Sequence, residues 1–502
     1  MATLTAEAPH SAQEDKGVEH FDVLIVGAGI SGIGSAYHLK AQCPGLTYVA
    51  LESQSSFGGT WLSHRFPGIR SDSDLYTFGY RFKPWVGPPI TVGREIRKYL
   101  GEVISENGLE PHIRYGHKVL SAVWSSKDNL WSITAQAGPE GRTARFTANF
   151  LWMCQGYFRH EEGYTPDWPG MDSFKGVIAH PENWPQDLDY KNKKVVIIGS
   201  GATAATMAPA MSDDAAQVTV LQRSPTYFIA QANTNEFFDQ LKPLGLDEML
   251  VHDIVRRKVV VDFDELTRRS FDEPEALSQE LLAGIEAYVG PEEVAKHFTP
   301  TYRPWRQRIA ILPDGDMLEA IKAGKVKMVT DHIDRFTPEG IRLKSGEVLE
   351  ADVIATATGF NLSVLGDIDF VIDGKPLAFH ETVTYRGMMF TGVPNMAWVF
   401  GYLRNSWTLR TELIADFVCR LLNHMHDKGA GSVQVGLRPE EHNMPRGPWI
   451  DPENFNAGYI VRGQAMLPQS GDRPEWRHTQ DYWTEKDDFP AIDLDDPVFR
   501  YR

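Results

Sequence analysis

The stretch FDVLIVGAGISG, residues 21–32, decides how the chain is read. A short apolar, β-branched run enters a turn in which Gly27, Gly29 and Gly32 have the spacing G-x-G-x-x-G. The small-residue run IGSAYHL then predicts a helix, and LTYVALE predicts a second strand ending in Glu52, twenty residues after Gly32. The glycine spacing alone is a weak signal. Strand, glycine turn, helix and terminal acid in this order predict a βαβ unit that binds a dinucleotide. The glycines let backbone approach a pyrophosphate at the helix N-terminus, and the acid accepts hydrogen bonds from ribose hydroxyls.

A second copy follows in KKVVIIGSGATA, residues 193–204, with Gly199, Gly201 and Ala204 as the fingerprint and Ala202 and Thr203 opening the helix. Its second strand, QVTVLQRSP, carries Gln222 and Arg223 where an acid would stand, with Ser224 beside them. An arginine there pairs with a 2′-phosphate that an acid would repel, so this site is expected to take NADPH. The plainer alternative is an exposed arginine at a strand end. Two dinucleotide sites imply a flavin in one and a nicotinamide in the other. GGTW (residues 58–61) follows the Glu52 strand and brings Gly59, Thr60 and Trp61 toward the isoalloxazine, which assigns FAD to the first copy.

The predicted fold class is α/β, with two Rossmann-like dinucleotide-binding domains and a helical insertion in the second. A polar arm is expected over residues 1–20, the first FAD-domain segment over 21–165 and the NADPH domain over 166–355. The second FAD-domain segment and a C-terminal tail are expected over 356–502, after DVIATATGF (residues 352–360) returns the chain as a buried strand. Within the NADPH domain, DEMLVHDIVRRKVVVDF and PEALSQELLAGIEAYV have helical periodicity. They predict an insertion over about 231–300 that covers the active site.

Composition narrows the function classes. The chain has 502 residues, 42% hydrophobic and 23% charged, and a formal net charge of −17. So acidic a chain lacks the basic surface that nucleic-acid binding needs. Its three cysteines (Cys43, Cys154, Cys419) are far apart in sequence, which disfavours a disulfide framework, a zinc site or a CxxC pair and fits a reducing cytoplasm. A flavin disulfide reductase is excluded on the same ground. The apolar stretches at the two fingerprints are too short and glycine-interrupted to span a membrane, so no integral membrane segment is expected.

Between the two fingerprints lies FKGVIAHPENWP, residues 174–185, with Phe174, Gly176, His180, Trp184 and Pro185 at fixed offsets. It fits the pattern F-x-G-x-x-x-H-x-x-x-W-P, and the chain from about Phe21 to Trp483 resembles the Baeyer–Villiger monooxygenases that use FAD and NADPH. GGTWLSHRFPGIRSDSD and HFTPTYRPWRQRIAILPDGDML are similar to the subgroup typified by the ethionamide-activating monooxygenase. In LWMCQGYF, Gln155 departs from the Thr or Ser usual before the glycine.

The resemblance implies an enzyme in which NADPH reduces FAD and O2 forms a C4a-peroxyflavin. This adduct inserts one oxygen next to a ketone carbonyl to give an ester or lactone, and sulfide oxidation is expected as well. The peroxide must stay anionic, which a fixed cation favours. The resemblance places that cation at Arg308, and arginine keeps its proton at any working pH. Residue chemistry alone does not separate Arg308 from Arg303 and Arg306. The resemblance also implies that Asp72, with Asp74 as competitor, holds Arg308, and that Val119, Thr60, Trp61 and Asp72 contact the flavin. Trp407 is a candidate for the pocket wall or for the core.

Two other functions compete: a heteroatom monooxygenase acting on sulfides or amines, and an NADPH-binding flavoprotein sensor that has lost oxygenase activity. A metal enzyme built on His180 is set aside because Pro181, Glu182 and Asn183 repeat no ligand spacing, and no metal is expected. His180 is read as part of a joint between the two nucleotide units.

Overall fold

A computed structural model describes residues 17–502. Strand β1 (Glu19–Val26) is followed by helix α1 (Ile30–Gln42) and strand β2 (Tyr48–Leu51). The chain then adds β3 (Ile113–Arg114), β4 (His117–Ser125), β5 (Leu130–Ala137) and β6 (Arg142–Met153). Strand β1 lies between β2 and β6, parallel to both. Its alternate residues go to opposite faces, and both faces are buried. Val23 and Ile25 pack with Ile33, Ala36 and Leu39 of α1, whereas Leu24 and Val26 pack with Trp124 and Trp131. An unbroken apolar run is what a strand covered on both sides requires.

The arm expected over 1–20 falls largely outside the described residues. Its last part is corrected: Glu19 and His20 already belong to β1, in register with Phe146 and Thr147.

After β7 (Phe158–Gly163) the chain builds a second, all-parallel sheet. It uses β8 (Val177–Ala179), β9 (Lys194–Ile198), β10 (Gln217–Gln222), β11 (Val326–Thr330) and β12 (Val353–Thr356), in the spatial order β11-β10-β9-β12-β8. One face of this sheet packs on Ala204, Ala205 and Ala208 of the second fingerprint helix, Ala202–Met211. The other is covered by Phe336, Ile341 and Leu343 of a small antiparallel sheet. The residues VIAT of DVIATATGF are therefore an inner strand of the second sheet. The return is made one step later, by β13 (Phe360–Leu362), which pairs antiparallel with β7. Two later strands, β14 (Asp369–Ile372) and β15 (Met396–Trp398), rejoin the first sheet beside β4 and β6. Likewise FKGVIAHPENWP is more than a connection, because its residues 177–179 are the edge strand β8.

The periodic segments are helices, but their placement differs from expectation. Helix α2 (Glu248–Asp272) is capped by Asp247, whose side chain accepts from the Leu250 N–H, and helix α3 spans Pro274–Val289. No residue between 231 and 300 lines the large cavity described below. Instead Val251, Val255 and Val259, one α2 stripe at spacing four, pack on Tyr76. Buried Arg256 donates to the carbonyls of Tyr76, Thr77 and Gly79 and to Glu412 Oε2 at 2.7 Å. The insertion braces the segment next to Asp72 from behind. Its apolar stripe matches that buried surface, so it is not free to roof the cavity.

Candidate active site

Both glycine turns open onto one cavity of 1740 Å³ between the two sheets. At the first turn, Gly27 has φ +104°, and a side chain on it would put Cβ 2.6 Å from the Cys154 carbonyl oxygen. A Cβ on Gly32 would stand 1.9 Å from the Gly27 oxygen, so the helix can start only with glycine at this position. Glu52 is buried and accepts from the N–H of Ala28 and of Gln54, both at 2.8 Å, which ties the end of β2 to the turn. The GGTW turn presses on the same loop. Gly58 N–H donates to the Ala28 oxygen at 3.0 Å, and a Cβ on Gly59 would meet Gly29 Cα at 3.1 Å. Thr60, Trp61 and Val119 also line the cavity.

At the second turn, Gly199 (φ +126°) packs against the Ala357 carbonyl oxygen, which a Cβ would approach to 2.2 Å. A Cβ on Gly201 would have no atom within 4 Å, which leaves room for a diphosphate above the helix start at Ala202 and Thr203. Gln222 is buried and donates to the His297 carbonyl and to Thr330 Oγ1, so it serves the fold. Arg223 and Ser224 are exposed at the cavity rim, and Arg223 makes no ion pair among the described residues. Both turns thus have the cradle that a dinucleotide diphosphate needs.

Between the turns, Arg308 is held by Asp72. Arg308 Nε lies 2.6 Å from Asp72 Oδ2, and Nη2 donates to Asp72 Oδ1 at 3.0 Å and to Ser73 Oγ at 2.9 Å. Nη1 donates to the Leu403 carbonyl at 2.7 Å. Burial works against the guanidinium charge, but Asp72, Tyr157 and Tyr459 outweigh it and hold the pKa above the ordinary arginine value. The other two arginines face elsewhere. Arg303 donates to the Glu453 and Asn454 carbonyls and Arg306 to the Glu453 carboxylate, and neither lines the cavity. Asp74 is also occupied, because its carboxylate caps the helix Leu75–Phe78 by accepting from Tyr76 N–H at 2.8 Å.

An aromatic wall faces Arg308. Tyr157 stacks on Trp407 (centroids 4.9 Å apart, planes at 10°) and touches Phe158 and Tyr459. Trp407 Nε1 donates to Ser31 Oγ in α1 at 2.8 Å, so this tryptophan joins the wall to the first fingerprint. Burial pushes the Tyr459 phenol up to about 12. Tyr157 and Tyr459 were not picked out from sequence. Tyr157 sits two residues past Gln155 in LWMCQGYF, outside the glycine fingerprint, and Tyr459 lies in a stretch without a motif. Gln155 Nε2 donates to the Gly156 carbonyl, and the residue lines the cavity.

The motif FKGVIAHPENWP lies at one side of this cavity. A Cβ on Gly176 would meet the Asp352 oxygen at 2.2 Å, and Phe174 packs edge-on to Phe336. Trp184 is buried, but Pro185 is exposed, so only the tryptophan is a packed part of the joint. His180 Nδ1 accepts from the Glu182 N–H and Nε2 lies 3.1 Å from the Gly359 oxygen. These two bonds fix the neutral Nε2–H tautomer. Burial keeps the His180 pKa below the ordinary histidine value.

Both His180 nitrogens are used, so it is no metal ligand. Elsewhere on the cavity wall, His64, His160 and Glu182 converge. Burial would raise the Glu182 pKa, but hydrogen bonds to His160 and His64 outweigh it and bring it down to about 2. Residues 118 and 22 positions apart form the group, so no ligand spacing announces it.

Two units, each with a parallel βαβ segment whose glycine turn faces a shared cavity, have the build of a protein that binds two dinucleotides. The family described as flavin-binding monooxygenase-like matches residues 88–260, and an NAD(P)-binding Rossmann-like domain matches residues 25–85. The chain is 45% identical over 468 residues to the FAD-containing monooxygenase EthA of Mycobacterium tuberculosis, covering 92% of this chain and 94% of that protein. It is 44% identical to EthA of Mycolicibacterium smegmatis, with 93% and 94% covered. Among solved structures, an oxidized steroid monooxygenase bound to NADP superposes with a TM-score of 0.75 at 22% identity, over 96% of this chain and 99% of that one. The complex of OTEMO with FAD and NADP gives 0.73 at 20% identity, over 97% and 100%. These two share the fold. This chain belongs to the FAD-containing monooxygenases, so FAD is its flavin cofactor, and it contains an NAD(P)-binding Rossmann-like domain. Among the described residues, no helix is long and apolar enough to cross a membrane.

Proposed function

We propose that this monooxygenase oxidises ketones to esters or lactones, taking NADPH as the electron donor, and oxidises sulfides in the same cavity. The observation that carries this reading is the Arg308–Asp72 pair, set between the two glycine turns and opposite the aromatic wall. Bound FAD, reduced by NADPH, supplies an activated oxygen derived from O2. Gly27, Gly29 and Gly59 hold the flavin diphosphate side by backbone approach, with Glu52 placed at the end of β2 for the ribose. Gly199, Gly201 and the helix start at Ala202 and Thr203 hold NADPH, and Arg223 with Ser224 receives the 2′-phosphate.

Arg308 presents a fixed positive charge to an oxyanion formed at the substrate carbonyl. With 30% of the side chain accessible, it is open to the cavity yet held by three hydrogen bonds to Leu403, Asp72 and Ser73. A preoriented cation in a partly dry site stabilises developing negative charge without reorganisation. Asp72 keeps the guanidinium in place, and Tyr157, Tyr459 and Trp407 exclude water from the substrate side.

Arg308→Ala should bind FAD and oxidise NADPH, yet lose ketone oxygenation by at least ~100-fold, the scale for removing an oxyanion donor. Ester formation at the wild-type rate by that variant would falsify the role of Arg308. Parallel assays with a ketone and a sulfide separate this reading from a monooxygenase confined to heteroatoms, which would give sulfoxide and no ester.

A further inference from the structure

His64 follows the GGTW turn, His160 sits in β7 and Glu182 in the turn after β8. His64 Nε2 is 3.1 Å and His160 Nδ1 2.7 Å from the same oxygen, Glu182 Oε1, and the three atoms lie within 4.8 Å of one another. The second carboxylate oxygen, Glu182 Oε2, is buried with no hydrogen-bond partner, and the Glu182 side chain is 0% exposed. The remaining ring nitrogens, His64 Nδ1 and His160 Nε2, make no hydrogen bond among the described residues. Two imidazole N–H groups compete for one oxygen while the other has none, an arrangement that leaves a polar group unsatisfied.

We propose that His64, His160 and Glu182 form a binding site for a divalent transition-metal ion of the zinc type, with a fourth position open to the cavity. Two imidazoles and a carboxylate around an open position are a donor set that zinc accepts, and imidazole favours Zn2+, Co2+ or Ni2+ over Mg2+ and Ca2+. Tetrahedral ligands at about 2.0–2.1 Å from zinc stand ~3.3 Å apart, close to the two contacts already made to Oε1. To bind, each ring moves its proton to its free nitrogen and offers the vacated lone pair, so no net proton is lost. Backbone already positions Glu182, whose N–H donates to His180 Nδ1 at 3.1 Å. The His64 ring also stacks on Phe360 of β13 (centroids 5.5 Å apart, planes at 5°). An ion here would therefore tie the GGTW side of the cavity to the strands that connect the two sheets, and restrain their relative movement.

The test uses untagged, FAD-loaded protein treated with a chelator and then titrated with Zn2+ by calorimetry and with Co2+ by difference absorption. Expected are one equivalent of ion and the strong visible bands of tetrahedral Co2+. His64→Ala and His160→Phe should each weaken binding by more than ~100-fold, beyond the roughly 10–100-fold that the loss of an outer-shell partner causes. His426→Ala, at an exposed surface histidine, should leave it unchanged. Flavin absorbance reports whether each variant is folded, and the half-exposed position of His160 makes its variant the safer one. Absence of saturable binding in the wild type, or equal binding by the folded His160→Phe variant, overturns the proposal.

Discussion

Arg223 and Arg308 show how differently one residue type is used in one cavity. Arg308 is held in place by Asp72, Ser73 and Leu403 with part of its side chain open to the cavity, whereas Arg223 is exposed and without an ion-pair partner among the described residues. A free guanidinium at the end of β10 has its planar donors available for a phosphate, and a bidentate contact of that kind adds geometric specificity. Arg462 lies near enough to share the field, and burial together with the neighbouring Arg223 charge keeps its pKa below the ordinary value. Arg223→Ala should raise KM for NADPH by ~10-fold or more and leave that for NADH nearly unchanged, since a charged hydrogen bond contributes about 1.5–3 kcal/mol. Initial-rate measurements with both cofactors check this. An unaltered NADPH/NADH preference would mean that the 2′-phosphate is bound elsewhere.

At the scale of elements, the short helix Leu75–Phe78 carries the segment that presents Asp72, and its capping residue is the weak point. Asp74 is buried, and burial pushes its carboxyl up to about 7 despite the hydrogen bond from Tyr76 N–H. The unfolded carboxyl titrates near 3.9. A folded pKa above the unfolded value gives stability that is complete below pH ~4 and lost as pH rises through 7. Asp74→Asn keeps an acceptor for the cap without the buried charge. Thermal melts should show the variant gaining stability relative to wild type between pH 5 and 8, by on the order of a few kcal/mol at the upper end. A pH-independent difference between the two proteins would rule out the titration of Asp74 as its source. The elements themselves were legible: β1 and β9 from apolar runs into glycine turns, and α2 and α3 from their periodicity. The placement of α2 was not, because a stripe of Val251, Val255 and Val259 fixes which face is buried but not which surface buries it. Asp72 and Asp74 likewise differ in sequence by two positions only. Which one reaches Arg308 depends on the turn that makes Asp74 a cap.

Across the whole molecule, two strands connect the sheets: β7 on the way out and β13 on the way back, paired with each other. His180 stands between them, bonded to the Gly359 oxygen just before β13, and its ring fills the space beside Gly163, where a Cβ would meet it at 1.9 Å. The one residue thus locks the return strand, the outgoing strand and the Glu182 turn in register. Such a joint is invisible to local pattern, since Gly163, His180 and Gly359 lie in three segments, and only the motif around His180 hints at it. Relative movement of two dinucleotide units is the kind of step that often limits turnover in such enzymes. His180→Ala would take one of two donors from the Gly359 carbonyl, which keeps the Tyr164 N–H at 2.9 Å, leave the Glu182 N–H without its partner and open a void next to Gly163. FAD should remain bound, because its cradle at Gly27, Gly29 and Gly59 is built elsewhere, while kcat should fall by ~10-fold or more with a smaller change in KM. His180→Gln, whose amide can still donate to Gly359, should recover more of the loss than His180→Leu, which fills similar space without a donor; equal recovery by the two would mean a purely space-filling role. Steady-state kinetics with flavin content measured in parallel decide the matter: release of FAD from His180→Ala, with kcat restored by added flavin, would show that the residue supports the cofactor site and not the joint.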